Sequence, residues 1–386
     1  MRVMISTRRG AGHLGPLVPF AKAFLRNGDD VVVVAPQGAA PMIEAAGLDH
    51  IHYPVPPEAE RTDVFRRAAE MSFDGGNQLV LTQVFIRIDT THAYPHVLGA
   101  MRAWRPDAVL YDVSEFAAPL AAETLGIPAV CVGITVSGEM DLFFGPPMAA
   151  PLDSVRARFG LRRDPDLDML AGAPHFTLTP AALEGPGDGA IAQAMRFREE
   201  SEPPRPLPDW WHGSDWPLVY LTFGSVAPTM PYFPGLYRDA LDALALLPVR
   251  VLLTVGRERD PRELGPVAPN VHVARWVPQA DVMPHAAAVV CHGGSGTIRT
   301  ALCSGVPAVV VPLFADQPYN ARRVEQLGAG IALDSVAGLG DAVRRLLADR
   351  SYRAAAQRIA DAAERLPTVD LAPEIVYDLV DDALVA

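Results

Sequence analysis

The sequence predicts an α/β protein of two doubly wound halves, each a parallel sheet with helices on both faces. Three observations carry that expectation. Short β-branched runs alternate with longer stretches of helical spacing, one proline-rich stretch interrupts the alternation, and the alternation then resumes. The runs are apolar throughout, as strands buried on both faces must be. A chain of 386 residues, 49% hydrophobic and 20% charged, has enough apolar material for two cores.

Taken in order, RVMIS at 2–6 reads as a strand and Leu14 to Arg26 as an amphipathic helix. VVVVAP at 31–36 is a second strand, followed by a helix through AAPMIEAAG. DAVLYD at 107–112 is a strand, AAPLAAETLG a helix and PAVCVG a strand. Such strand–helix–strand units pair in parallel. Residues 55–105 lack strand signals and hold one long helical candidate, Gln78 to Trp104. Residues 138–175 are rich in proline and methionine. EESEPPRPLPDWWHGSDWP at 199–217 has prolines and charges without periodicity and reads as a linker. Beyond it LVYLTFG, VRVLLTVG, VHVARWV, AAVVCHGG, PAVVVP and AGIALD read as strands with helices between them, and the tail from Ala337 as helical. The halves are expected at 1–205 and 206–386, with the final helix able to pack back on the first.

A formal net charge of −12 argues against a general nucleic-acid binder, while leaving room for a locally positive site. Cys131, Cys291 and Cys303 lie in or beside apolar runs without metal-ligand spacing, and so read as free thiols in a reducing compartment. The opening MRVMISTRRGAGH turns polar too early for a signal peptide. No stretch reaches the ~20 apolar residues of a membrane span. The expected location is the cytoplasm, with no membrane partner.

Four strand exits carry candidate chemistry. In His292-Gly293-Gly294-Ser295-Gly296-Thr297, small residues stand between a strand and a helix. Unpartnered N–H groups and the helix dipole make an anion site there without a lysine. Ser295 and Thr297 add hydroxyl donors, and His292 offers one hydrogen bond, or two if protonated. A tight turn around a satisfied histidine is the plain alternative. Gly224-Ser225 ends a strand at what should be the same sheet edge, where open α/β sheets bind ligands. Asp316-Gln317 offers acceptors and donors to a hydroxyl-rich ligand, or Asp316 simply caps a helix. Trp276, followed by Gln279, either stacks on a nucleobase or fills the core.

The first exit loop, STRRGAGHLGPL, brings His13 to the edge where Asp112 ends its own strand. A carboxylate on one imidazole nitrogen fixes the tautomer and stabilises the imidazolium formed when the other nitrogen takes a proton. That dyad suits deprotonation of an alcohol or phenol. In the plain alternative, His13 only neighbours a helix cap and Asp112 caps the helix at Phe116. Arg8 and Glu115 read as solvated loop residues. His92 and His96 are four apart on the long helical candidate, but no third ligand accompanies them, so no metal site is expected.

On these residues the chain resembles the family 1 glycosyltransferases of GT-B fold. The block from NVHVARWVPQADVMPH through VVCHGGSGTIRTALCSGVPAVVVPLFADQPYNARRVEQLGAG is similar to that family's signature, and GHLGPLVPFAKAF and DAVLYD to its first half. The likeness leans toward actinomycete enzymes that glycosylate antibiotics and other natural products. It implies two Rossmann-like domains facing across a cleft, the first for the acceptor and the second for a nucleotide sugar. It implies His13 as general base and Asp112 as its partner. His292, Gly294, Ser295, Gly296 and Thr297 would hold the donor diphosphate, with Ser225 approaching it. Asp316 and Gln317 would bind the sugar's hydroxyls, Trp276 would stack on the base, and Val277 and Gln279 would flank it. One departure is the pair of arginines in RRGAGH, where many relatives carry small or apolar residues.

The resemblance implies an inverting, metal-independent transferase with no cofactor beyond its co-substrate. The donor is a TDP-deoxysugar or UDP-sugar, and the acceptor a hydroxyl of a hydrophobic aglycone lying against segments near 55–105 and 138–150. A homodimer is one assembly this allows. Two other readings stay open: a nucleotide-sugar epimerase on the same scaffold, and an inactive auxiliary partner of another transferase.

Overall fold

Parallel strands need helical crossovers and cover on both faces. The computed structural model, which describes residues 1–136, 145–184, 193–200 and 203–385, shows this arrangement twice. The first sheet holds β1 (Arg2–Ser6), β2 (Asp30–Pro36), β3 (His50–Tyr53), β4 (Ala108–Asp112), β5 (Ala129–Val132), β6 (His175–Thr177) and β7 (Met195–Arg196). Their spatial order is β3-β2-β1-β4-β5-β6-β7. The second holds β8 (Leu218–Thr222), β9 (Arg250–Thr254), β10 (Val271–Ala274), β11 (Ala286–Cys291), β12 (Ala308–Val310) and β13 (Gly330–Ala332). Its order is β10-β9-β8-β11-β12-β13.

Register follows the apolar pattern. Val3 lies opposite Val31 and Ala108, and Ile5 opposite Val33 and Leu110. Successive residues feed opposite cores. Met4, Val32 and Tyr111 pack on one face of the first sheet, and Val3, Ile5 and Val33 on the other. Likewise Leu221 and Val290 face one core of the second sheet, Tyr220 and Cys291 the other. Cys131 and Cys291 are buried thiols, and Cys303 is half-buried. In each sheet the strand order reverses beside the first strand, at β1/β4 and at β8/β11. Ligand sites of open α/β sheets form at such points.

The structure departs from the sequence expectation in three places. β3, β6 and β7 were not foreseen; they are two to four residues long, and β3 carries His50 and His52. The single helix expected over Gln78 to Trp104 is instead α-helical at Phe73–Leu79, π-helical at Val80–Thr90 and α-helical again at Thr91–Trp104. The Thr90 hydroxyl donates to the Phe85 carbonyl at 2.8 Å, five residues back. The stretch expected as a linker is docked in its described part: Trp210 stacks on His272 with ring centroids 4.2 Å apart.

The chain crosses between the halves twice. After helix Arg350–Glu364 it returns, and its last helix, Ala372–Val385, lies against Val18–Arg26 of the first half. Val369, Ala372 and Val376 are buried there. The two crossings run together: Arg198 N donates to Pro367 O at 2.9 Å and Val369 N to Arg198 O at 3.1 Å. Among the described residues no helix is long and apolar enough to cross a membrane.

Candidate active site

β1 ends at Ser6, and the chain turns into the short helix Ala11–Leu14. The turn needs Gly10, whose φ of 137° is strained for any residue with a Cβ. It brings His13 against the end of β4, with Nδ1 3.2 Å from Asp112 Oδ2. Ser114 Oγ lies 3.1 Å from the same nitrogen. Asp112 is fully buried. Its Oδ1 accepts from the Ser114 hydroxyl at 2.6 Å and the Ser114 N–H at 2.8 Å. Its Oδ2 accepts from the Thr7 hydroxyl and the Arg8 N–H, each at 3.3 Å. Burial alone would push this carboxyl up; the His13 imidazole, the Ser114 hydroxyl and Arg8 outweigh it and hold the pKa at about 2. With Nδ1 turned to a carboxylate, Nε2 is the nitrogen left for a ligand's proton.

Glu115 and Arg8 are not the solvated loop residues the sequence suggested. Glu115 is buried and accepts from Ala117 N and Ala118 N at 2.9 Å each. It therefore caps helix Ala117–Leu125, the task expected of Asp112 in the plain alternative. Arg8 pairs with Asp89 at 2.6 Å and lies 3.5 Å above the Phe85 ring, whose edge meets His13.

In the second half, β11 hands over to helix Ser295–Cys303, whose N-terminus has no side-chain cap. His292 is sandwiched between two glycines. A Cβ at Gly224 would come within 2.6 Å of its ring, and one at Gly294 equally close. The β8 and β11 exits therefore touch through this imidazole. Burial pushes the His292 pKa down to about 4, so at neutral pH the ring is uncharged and offers one N–H, not two. Its Nδ1 is buried without a hydrogen-bond partner. A Cβ on Gly296, by contrast, would meet nothing within 4 Å. Open space thus lies over an uncapped helix N-terminus. Ser225 is exposed beside it.

The hydroxyls of this loop are partly committed. Ser295 donates to Asp316 Oδ2 at 2.5 Å, and Thr297 accepts from Gln279 Nε2 at 3.1 Å while keeping its own proton. Asp316 makes no cap bond to its helix, Gln317–Gln326. Burial raises its pKa, opposed by the hydrogen bonds from Ser295 and Asn320. Gln317 Oε1 accepts from Leu313 N at 2.8 Å and Phe314 N at 2.9 Å, which leaves its Nε2 for other partners. Trp276 is 44% exposed, so it does not fill the core, and the Arg257 guanidinium sits 4.4 Å from its ring centroid. Val277 is half-buried beside it. The halves meet near this loop, where Asn77 Nδ2 donates to Ala315 O at 3.2 Å and the Tyr319 hydroxyl donates to Asp74.

The Erythromycin biosynthesis protein CIII-like, C-terminal domain family matches residues 238–381. The L-demethylnoviosyl transferase of Streptomyces niveus is 30% identical over 388 residues, covering 95% of each chain. The chain belongs to the GT-B glycosyltransferases of antibiotic biosynthesis. Two solved structures have the same fold over almost the whole chain. The glycosyltransferase VinC in complex with DTDP is 25% identical, with a TM-score of 0.78 and all of both chains covered. SsfS6 of Streptomyces sp. SF2575, complexed with thymidine diphosphate, is 26% identical, with a TM-score of 0.77, covering 98% of this chain and 99% of its own.

Sequence reasoning missed two residues of this candidate site. Ser114 bridges His13 and Asp112 from two positions beyond the strand end. Asn320 is fully buried, and its Nδ2 reaches Gly293 O and Asp316 Oδ2 at 2.8 Å and Ser295 Oγ at 3.1 Å. Its signal was there: Asp316 and Asn320 are four apart at a helix start, on one face. His92 and His96 hold no metal cluster among the described residues. His96 stacks on Tyr53, and His92 Nε2 lies 2.8 Å from Pro54 O. Of the 138–150 segment expected near the acceptor, residues 138–144 lie outside the described residues.

Proposed function

We propose that this glycosyltransferase moves a sugar, with inversion, from a nucleoside diphosphate sugar to a hydroxyl of a natural-product aglycone. One observation carries the reading: a His13–Asp112 pair, Nδ1 3.2 Å from Oδ2, stands at a strand exit of one half, and an uncapped helix N-terminus follows buried His292 at a strand exit of the other. The thymidine diphosphate named for two structural relatives supports a TDP-sugar donor. His13 Nε2 takes the acceptor's proton as its oxygen bonds to the anomeric carbon. The bond from that carbon to the diphosphate breaks on the opposite side. Asp112 stabilises the imidazolium that results. The leaving charge meets the N–H groups of Ser295, Gly296 and Thr297, the helix dipole and neutral His292. This fixed polarity supports a reaction without a metal ion. Asp316 and the Gln317 amide would bind sugar hydroxyls, and Trp276, Val277 and Gln279 the base. An approximate division at 1–205 and 206–386 gives each half one substrate.

Turnover of a TDP-sugar with a panel of phenolic and macrolide aglycones, by the chain and by His13→Ala, tests the proposal. Loss of about 10²–10⁴ in kcat with unchanged TDP affinity is expected. Unchanged turnover in His13→Ala removes the base assignment. Epimerised free sugar nucleotide without aglycone would replace transfer by epimerisation.

A further inference from the structure

A cavity of about 240 Å³ opens beside the dyad, lined by the exits of β1 and β3, helix Glu58–Ala69 and the π-helix. Neither His13 nor Asp112 lines it. Arg8 stands between: its N–H donates to Asp112 Oδ2 and its side chain lines the cavity. In the wall Arg8 Nη2 is 2.6 Å from Asp89 Oδ2. Arg61 Nε is 3.6 Å from Asp89 Oδ1, too far for a hydrogen bond. Two guanidinium forks thus share one carboxylate. Arg8 Nε and Arg61 Nε are buried without an acceptor, and Asp89 Oδ1 without a donor. Around Asp89 donors outnumber acceptors, with two guanidinium groups to one carboxylate. Arg9 adds a third guanidinium, and Glu58 an exposed carboxylate, near the mouth. Burial pushes Glu115 up to about 7, against its two backbone hydrogen bonds, so its negative charge is only partial at neutral pH. Val55 and Phe65 are 47% and 46% exposed and make the mouth apolar. A cavity of roughly 150 Å³ holds benzene, so this one has room for one or two rings with a polar substituent.

We propose that this cavity selects acceptors bearing an anionic oxygen group such as a carboxylate, gripped by Arg61 and Arg8 while the apolar body lies on Val55 and Phe65. Arg8 and Arg61 are specificity residues here, and the proton chemistry stays with His13. That the ligand is an acceptor rests on the transfer reading above; the binding preference does not. Calorimetric titration of the full chain with hydroxynaphthoate and with its methyl ester tests it, for wild type, Arg61→Gln and Arg61→Lys. The acid should bind about tenfold more tightly than the ester, as one charge-assisted contact provides. The ratio should fall toward one in Arg61→Gln and be largely kept in Arg61→Lys. A thermal melt reports whether each variant is folded, and Arg8→Gln is the second variant should Arg61→Gln not fold. Equal binding of acid and ester, no binding of the acid, or a preference that survives both glutamine variants overturns the proposal. An acid preference without sugar transfer to any phenol would overturn the transfer reading and leave the cavity assignment standing.

Discussion

Replacing His292 by glutamine should change how stability responds to acid. The ring is buried, and burial lowers its pKa from 6.5 to about 4. The unfolded chain takes up a proton near pH 6.5, whereas the folded chain resists until about pH 4. Stability from this residue is therefore complete above pH 6.5 and lost as pH falls toward 4. The full loss is about 3 kcal/mol, with about 2 kcal/mol gone by roughly pH 5. Glu115, raised to about 7, has the opposite sign: its contribution is complete below pH 4.5 and lost as pH rises toward 7. Only the difference between wild type and His292→Gln isolates the imidazole. Urea unfolding followed by tryptophan fluorescence suits the question, because of the five tryptophans only Trp104 precedes the second half and its docked approach. The advantage of wild type over His292→Gln should shrink by about 2 kcal/mol between roughly pH 7.5 and pH 5. Parallel curves for the two proteins over that range would refute the picture of a buried neutral ring. The proposal that His292 gives the diphosphate a single hydrogen bond would lose its basis with it.

Asp112→Asn should lower kcat by about tenfold to a hundredfold, since the buried carboxylate that would stabilise the imidazolium is lost; initial rates at saturating donor decide it. Gly294→Ala places a methyl 2.6 Å from His292 Nε2, a ring already blocked by Gly224, and should cost about 1–3 kcal/mol in thermal unfolding. Gly296→Ala meets nothing within 4 Å, so its melting temperature should match wild type while TDP affinity falls at least about tenfold; unchanged calorimetric affinity would move the diphosphate elsewhere. Chelation with EDTA should leave the transfer rate unchanged, and a rate that collapses and returns with a divalent ion would show that helix and loop are not sufficient.

Much of this architecture was legible in the amino-acid order because buried parallel strands leave little choice. VVVV and AVVC have no polar face, so each must have helices on both sides. β3 escaped notice because His50 and His52 give it the look of a loop, and β6 and β7 because two or three residues carry no period. The π-helix at Val80–Thr90 was hidden because apolar spacing does not separate a bond to the fourth residue back from one to the fifth. At the site, His13, Asp112 and His292 were legible from their places at strand ends. Their states were not. The neutral form of His292 comes from enclosure by glycines seventy positions apart in the chain, and the commitment of Ser295 to Asp316 from a helix it meets only after folding. Arg8 looked solvated because its partner Asp89 lies on the segment whose helical type was hidden.

The paired crossing of Arg198 beside Pro367 and Val369 limits which relative motions of the two halves leave it intact. Two covalent tethers bonded side by side act as one axle. A swing of one half about that line would keep both bonds, whereas sliding or unscrewing would have to break them. This constraint on relative motion comes from backbone bonds at Arg198, Pro367 and Val369, none of which is assigned to either substrate.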